Sequence, residues 1–333
     1  MRKQGFSKLP SGGSSARKTV QWTVFSENGP AGPRNGGLRE ALTEEVVPPV
    51  NPIHLKPKRV FDMRLTGWLI VLIAAAALIY LTAPNPRRGR MARWRHEVFA
   101  HRGLHDVDRG IVENTLPAFA AACENGYGME LDIQFSKDFE VVVFHDDTLK
   151  RLAGDPRRVD ACTLEELRAF RLHGVADARI PTLKEVLQLV DGRTPLLIEL
   201  KSGKNNARLC RALMTLLKDY KGEYIVESFN PLIVGWFRLN APGVVRGQLV
   251  CPMREYIAQA SRVSAFFMSG QLLNCVGRPD FVAYNANAAR FFSPHFQRFI
   301  FHTPMAAWTV RTEHLQALIE KRGEISIFEK IRN

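Results

Sequence analysis

The chain has 333 residues, 46 Lys and Arg against 33 Asp and Glu, and a formal net charge of +13. Residues 1–97 hold 16 basic and 6 acidic side chains, a net +10, which leaves residues 98–333 at only +3. A nucleic-acid enzyme carries its positive charge on the folded domain that tracks phosphates, so the basicity excludes that class rather than suggesting it; cations crowded around an apolar run point to a membrane surface instead.

Residues 1–63 contain seven Gly, seven Pro and five Ser with no apolar periodicity. Such a stretch cannot offset its ordering entropy by burial and is expected to be disordered. Met63 reads as an alternative start, since the apolar segment follows at once. Leu65 to Ala83 then runs 19 residues without a charge, which at about 1.5 Å per residue matches the hydrocarbon thickness of a bilayer. Trp68 and Tyr80 sit near its ends as interfacial anchors do. A single transmembrane anchor is expected, followed by a basic linker over 84–97. Arg87, Arg88, Arg90, Arg93 and Arg95 after it outnumber Lys56, Lys58, Arg59 and Arg64 before it by one, so the positive-inside rule tips the C-terminal domain toward the cytoplasm. The five cysteines (Cys123, Cys162, Cys210, Cys251, Cys275) form no C-x-x-C and read as buried free thiols.

From residue 98 onward short β-type runs alternate with amphipathic stretches. Strands are predicted at Val98–Ala100, Met129–Gln134, Val141–Phe144, Leu196–Leu200, Tyr224–Val226, Val244–Val250, Phe281–Tyr284, Ala307–Val310 and Ile325–Phe328. Helix signals between them include Thr115 ahead of an Ala-rich run stopped by Gly126, capping boxes at Thr163/Glu166 and Thr182/Glu185, and a helix over Glu313–Lys321. The alternation predicts an α/β fold, either a (β/α) barrel or a doubly wound sheet. No glycine-rich phosphate loop follows a strand, which removes support for nucleotide binding.

Four strand ends carry reactive side chains. Val98–Ala100 stops on His101 and Arg102. In Met129 to Ile133, alternation puts Glu130 and Asp132 on one face. Val141 to Phe144 stops on His145 and Asp146. In Leu196 to Lys201, Glu199 and Lys201 share a face. Carboxylates on an apolar strand are costly to bury without a compensating cation. Glu130, Asp132 and Glu199 therefore make an oxygen-rich site for one hard divalent cation, Mg²⁺ or Ca²⁺.

These residues resemble a known family. His101-Arg102-Gly103, Glu113-Asn114-Thr115, Glu130-x-Asp132, Val143 to Leu149, Pro181 to Val186, Ile198 to Lys201, Glu227-Ser228-Phe229 and Trp308-Thr309-Val310 together look like a glycerophosphodiester phosphodiesterase domain from about Phe99 to the C-terminus. The resemblance implies a TIM-type barrel with a small insertion at about Gly154 to Arg179. The reaction it implies is metal-dependent hydrolysis of a glycerophosphodiester to an alcohol and glycerol 3-phosphate. It makes His101 and His145 the acid/base pair, with Arg102 and Lys201 neutralising phosphate oxygens. Ser228, Phe229 and Trp308 become possible walls of a glycerol pocket. The sequence departs from the family at Val112, at Phe139, which stands where glycine is usual, and at its ending. There Gly323 to Glu329 supplies a closing strand with no helix after it, so closure either frays or draws on the linker.

Two other readings stay open. One is a lysophospholipase D-type enzyme acting on membrane lipid held near the anchor. The other is an inactive, membrane-tethered binding protein, which the complete His, Glu, Asp and Lys set disfavours. The expected partners are a glycerophosphodiester or lysophospholipid and, through the anchor, membrane lipid, with no nucleic acid. If Asp138-Phe139 form a two-residue loop, Asp132 lies directly across from His145; Phe139 is a poor residue for the positive φ such a loop requires, and a wider loop would shift this register.

Overall fold

The computed structural model describes residues 63–330, other than 258, 259, 289 and 290. The expectation of disorder over residues 1–63 falls, apart from Met63, outside the described residues. Nine strands form among the described residues: β1 Val98–Ala100, β2 Gly128–Phe135, β3 Val141–Val143, β4 Leu196–Leu200, β5 Tyr224–Ser228, β6 Arg246–Val250, β7 Phe281–Asn285, β8 Met305–Val310 and β9 Ile325–Phe328. Each lies on a predicted run, with ends that shift by at most two residues. Eight of them are parallel and close a TIM-type barrel, because Phe99 in β1 pairs with both Gly128 in β2 and Ile327 in β9. β3 stands outside the ring, antiparallel to the upper half of β2.

Strand alternation divides each run between two cores. Met129, Leu131, Ile133, Ile198 and Val226 pack outward against the helices, including α2 (Leu116–Glu124) through Phe119 and Ala122. Phe99, Leu197, Ile225, Leu249, Phe281 and Ile327 form an inner cluster. Small residues make room for its rings: a Cβ on Gly247 would lie 2.3 Å from the Phe281 ring. Met91 and Trp94, from the 3-10 turn Arg88–Trp94, join that inner cluster at 2% and 6% exposure. The segment read as a basic linker therefore carries two apolar side chains into the barrel. Burying each one contributes about 2 kcal/mol.

The ending does not fray. β9 is bonded on both sides, Ser326 N donates to Glu97 O at 3.0 Å and His101 N to Phe328 O at 2.9 Å. The insertion after β3 has its own core, in which Leu152, Val159, Cys162, Leu167 and Leu172 pack under Val142 and Phe144. Both predicted capping boxes form. The cysteines are free, three of them buried and two half-buried.

α1 (Met63–Thr82) contains the 19-residue apolar stretch Arg64–Thr82, of mean hydropathy 2.2, of which 6% is buried. By length and composition it is able to cross a membrane. Leu65 and Trp68 are each 69% exposed, so it is not a core helix of the barrel.

The β2–β3 hairpin differs from expectation. Ile133 pairs with Val143 and Gln134 with Val142, one residue short of the expected register, so Asp132 O accepts from Phe144 N at 2.9 Å. The connection is three residues, Lys137 to Phe139, closed by Ser136 N donating to Glu140 O at 3.0 Å. Phe139 occupies the left-handed region at φ 66°, the position that ends a three-residue hairpin loop. A two-residue loop would require left-handed φ at its central positions with no glycine to supply it; the wider loop needs it only once.

Candidate active site

The C-terminal ends of β1, β2, β4 and β5 bring together one buried, acidic cluster. Glu130 and Asp132 come from alternate positions of β2, and Glu199 lies beside Asp132 because β4 pairs with β2 at that register. One carboxylate oxygen from each lies within 4.8 Å of the others, at exposures of 3%, 0% and 7%. Burial, then the charges of Asp132 and Glu199, push Glu130 well above the usual carboxylate range. Burial opposes ionisation of Asp132 too, but Lys201, His145, Arg102 and the Asn114 amide hold it well below that range. Glu199 is raised, by burial first, with Lys201 opposing and Asp132 adding to the rise.

Cations and an amide hold this cluster in place. Lys201 Nζ lies 2.8 Å from Glu199 Oε1 and 3.2 Å from Asp132 Oδ1. Asn114 Nδ2 donates to Asp132 Oδ2 at 2.8 Å. Arg102 donates through its backbone N to Glu130 Oε2 at 2.9 Å and through Nη1 to Glu113 Oε1 at 2.6 Å, with Nε 3.5 Å from Asp132. Arg102 and Asn114 both sit at left-handed φ, 57° and 55°, an unfavourable backbone that persists only where surrounding contacts impose it. Gly103 is required beside them, since a Cβ there, at φ 80°, would meet Ala118 at 2.9 Å.

His101 and His145 both lie near enough to Asp132 to interact with its charge. His101 is held by its backbone bond to Phe328, and its Nδ1 lies 3.5 Å from Glu329. Burial lowers its pKa to about 4, with Glu329 opposing and Arg102 reinforcing. His145 follows the end of β3 and approaches Asp132 from that turn, not from a cross-strand position. Gln134 Nε2 fixes the turn by donating to Phe144 O at 2.7 Å and Asp146 O at 2.9 Å. His145 Nδ1 is 2.6 Å from Asp146 Oδ1. Arg151 in turn binds Asp146 and, bidentately, Glu113. Burial opposes ionisation of Glu113, but Arg151 and Arg102 lower its pKa to about 2.

The three weaker pocket positions separate. Ser228 spends its hydroxyl on the backbone, donating to Leu200 O at 2.7 Å and accepting from Asn230 N at 3.1 Å. Phe229 and Trp308 meet edge to face with centroids 5.8 Å apart, and Trp308 Nε1 is buried without a hydrogen-bond partner. Sequence reasoning left Glu113, Asn114, Asp146, Arg151, Glu227 and Glu329 without roles. Glu227 pairs in register with Glu199, is 2% exposed, and has an unpartnered Oε2; burial and the charges of Glu199 and Asp132 raise it well above the carboxylate range. The alternation that places Ile225 inside the barrel was the available signal for it.

A divalent cation fits this donor set. Four buried carboxylates face two cations, Arg102 and Lys201, and Arg102 is shared with Glu113. The ligand atoms are all oxygens, as hard cations prefer.

Residues 101–328 match the Glycerophosphoryl diester phosphodiesterase family. A glycerophosphodiester phosphodiesterase of Caldanaerobacter subterraneus subsp. tengcongensis is 34% identical over 190 residues, covering 54% of this chain and 77% of that protein. Human lysophospholipase D GDPD1 is 36% identical over 179 residues, covering 50% and 54%. The crystal structure of the Thermotoga maritima glycerophosphodiester phosphodiesterase aligns with TM-score 0.53 at 26% identity, over 69% of this chain and 93% of that one. An Oleispira antarctica phosphodiesterase, solved in complex with the product sn-glycerol-3-phosphate, shares the fold with TM-score 0.56 at 22% identity, over 71% and 93%. The chain therefore belongs to the glycerophosphoryl diester phosphodiesterase family and is a phosphodiesterase.

Proposed function

We propose that the protein hydrolyses glycerophosphodiesters to an alcohol and glycerol 3-phosphate, with Glu130, Asp132 and Glu199 holding one divalent cation, Mg²⁺ or Ca²⁺. The observation that carries this reading is the buried carboxylate triad with two histidines near enough to interact with Asp132. The cation supplies charge neutralisation at the phosphate. Arg102 and Lys201 neutralise the remaining phosphate oxygens. His101, kept neutral by burial, accepts the proton of the attacking hydroxyl. His145, oriented through Nδ1 by Asp146, delivers a proton from Nε2 to the departing alkoxide. Attack by the substrate's own glycerol hydroxyl, followed by water, uses the same two residues with their roles exchanged. Phe229 and Trp308 wall the glycerol side.

A second reading is lysophospholipase D-type activity, favoured by α1, which we take as a single-pass anchor with the barrel on the cytoplasmic side. The relative named lysophospholipase D supports it. The whole chain in detergent, given glycerophosphocholine or micellar lysophosphatidylcholine, tests both. Glycerol 3-phosphate from the soluble diester supports the first reading, lysophosphatidic acid from the micelle supports the second, and neither product refutes the proposal.

A further inference from the structure

Beneath the barrel, beside the end of α1, lies a cleft of about 340 Å³ lined by Arg87, Arg90, Arg238, Arg246 and Arg278. Among the described residues, the only carboxylate paired with these five guanidiniums is the buried Asp280, 3.1 Å from Arg90 and 3.6 Å from Arg246. The cluster is thus under-neutralised, and burial together with repulsion from Arg90 and Arg238 lowers the pKa of Arg246 against the pull of Asp280.

Donors remain available in the cleft. Among the described residues, Arg238 uses only Nη1, on the carbonyls of Cys275 and Val276, and Arg278 uses only Nη1, on those of Tyr80 and Ala83. Arg87 is exposed, and its guanidinium has no hydrogen bond or ion pair among the described residues. The cleft is also fastened to α1. Arg278 lies 4.7 Å over the Tyr80 ring, and Thr82 O accepts from Asn274 Nδ2 at 3.1 Å and Gln297 Nε2 at 2.8 Å. If α1 crosses a bilayer, the five arginines meet its headgroup layer within a few residues of the span, where basic pockets attract phosphate groups.

We propose that this cleft binds a phosphate-bearing anion, supplied by the headgroup of an anionic phospholipid. The lipid source rests on the reading of α1 as a membrane span; the anion chemistry does not.

The test is thermal unfolding of the full chain in detergent with added phosphatidylglycerol, phosphatidylcholine or inorganic phosphate. Wild type is compared with Arg87→Gln/Arg238→Gln and, as a substitution at an exposed unbonded side chain that leaves folding intact, with Arg87→Glu. Phosphatidylglycerol should give a saturable rise in Tm of the wild type, lost or strongly reduced in both variants, with turnover of glycerophosphocholine unchanged. A rise from inorganic phosphate alone, lost in the variants, supports the cleft with a soluble phosphate as its source. No rise, an equal rise in wild type and variants, or an equal rise with phosphatidylcholine overturns the proposal. Carbonate extraction of membranes reads α1 separately, so failure of the span and failure of the cleft are distinguishable.

Discussion

Arg151 grips Glu113 with both terminal nitrogens, Nη1 to Oε2 at 2.9 Å and Nη2 to Oε1 at 2.7 Å. The same guanidinium binds Asp146, which orients His145, while Glu113 also binds Arg102. One arginine outside the pocket thus couples the acid/base side to the phosphate side. Arg151→Ala should lower kcat by about 10- to 100-fold, the usual range for residues that orient a site from behind, with metal affinity changed far less. Unaltered kcat would demote the coupling to surface pairing.

Glu130 is ionised only against burial and two neighbouring carboxylates. Its folded-state pKa is raised, so its charge destabilises the metal-free protein as pH rises. Glu130→Gln should therefore raise the metal-free Tm at pH 8 and abolish most of the further rise that Mg²⁺ or Ca²⁺ gives the wild type. A lower metal-free Tm in this variant would contradict the account of the cluster.

His101→Ala and His145→Ala should each reduce kcat by about 10²- to 10⁴-fold, the scale of general acid-base catalysis. His101 leaves a second signature. Its pKa falls from 6.5 to about 4 on folding, so below pH 6.5 the unfolded chain takes up a proton that the folded chain refuses. Stability is full above pH 6.5 and falls as pH drops toward 4. Urea denaturation across this window should show a shallower slope in His101→Ala than in wild type; parallel slopes would rule out the buried neutral imidazole.

Trp94 lies in a segment whose sequence reads as linker, yet it packs with Phe99 and Phe281. Trp94→Ala should destabilise the barrel by about 3–5 kcal/mol, measured by denaturant unfolding. A loss under about 0.5 kcal/mol, no larger than a typical surface substitution, would mean that the barrel closes without it.

The strands were legible because β-branched and aromatic runs recur at strand length, and alternation puts Glu130 and Asp132 on one face of β2 and Glu199 with Lys201 on one face of β4; the choice of a barrel over a doubly wound sheet came from the family resemblance. Alternation applied to Ile225 would have reached Glu227. The hairpin register was legible only as the alternative, since Phe139 argues against a two-residue loop but does not say which wider loop forms; it takes the left-handed φ once, at the end of a three-residue loop. Nor could local pattern pair Glu329 with His101 or Arg151 with Glu113, because barrel closure and the insertion bring those partners together from distant segments. Trp94 was hidden by its basic neighbours, whose charges remain at the surface while the indole turns inward.

The central claim is metal-dependent diester hydrolysis at the carboxylate triad. It is tested most directly by glycerol 3-phosphate release from glycerophosphocholine by the full chain in detergent, with Mg²⁺, with Ca²⁺ and with excess chelator, in wild type and Asp132→Ala. The account predicts turnover with at least one of the two ions, none with chelator, restoration on adding the ion back, and no comparable restoration in Asp132→Ala. Full turnover in excess chelator, or wild-type turnover by Asp132→Ala, would contradict it.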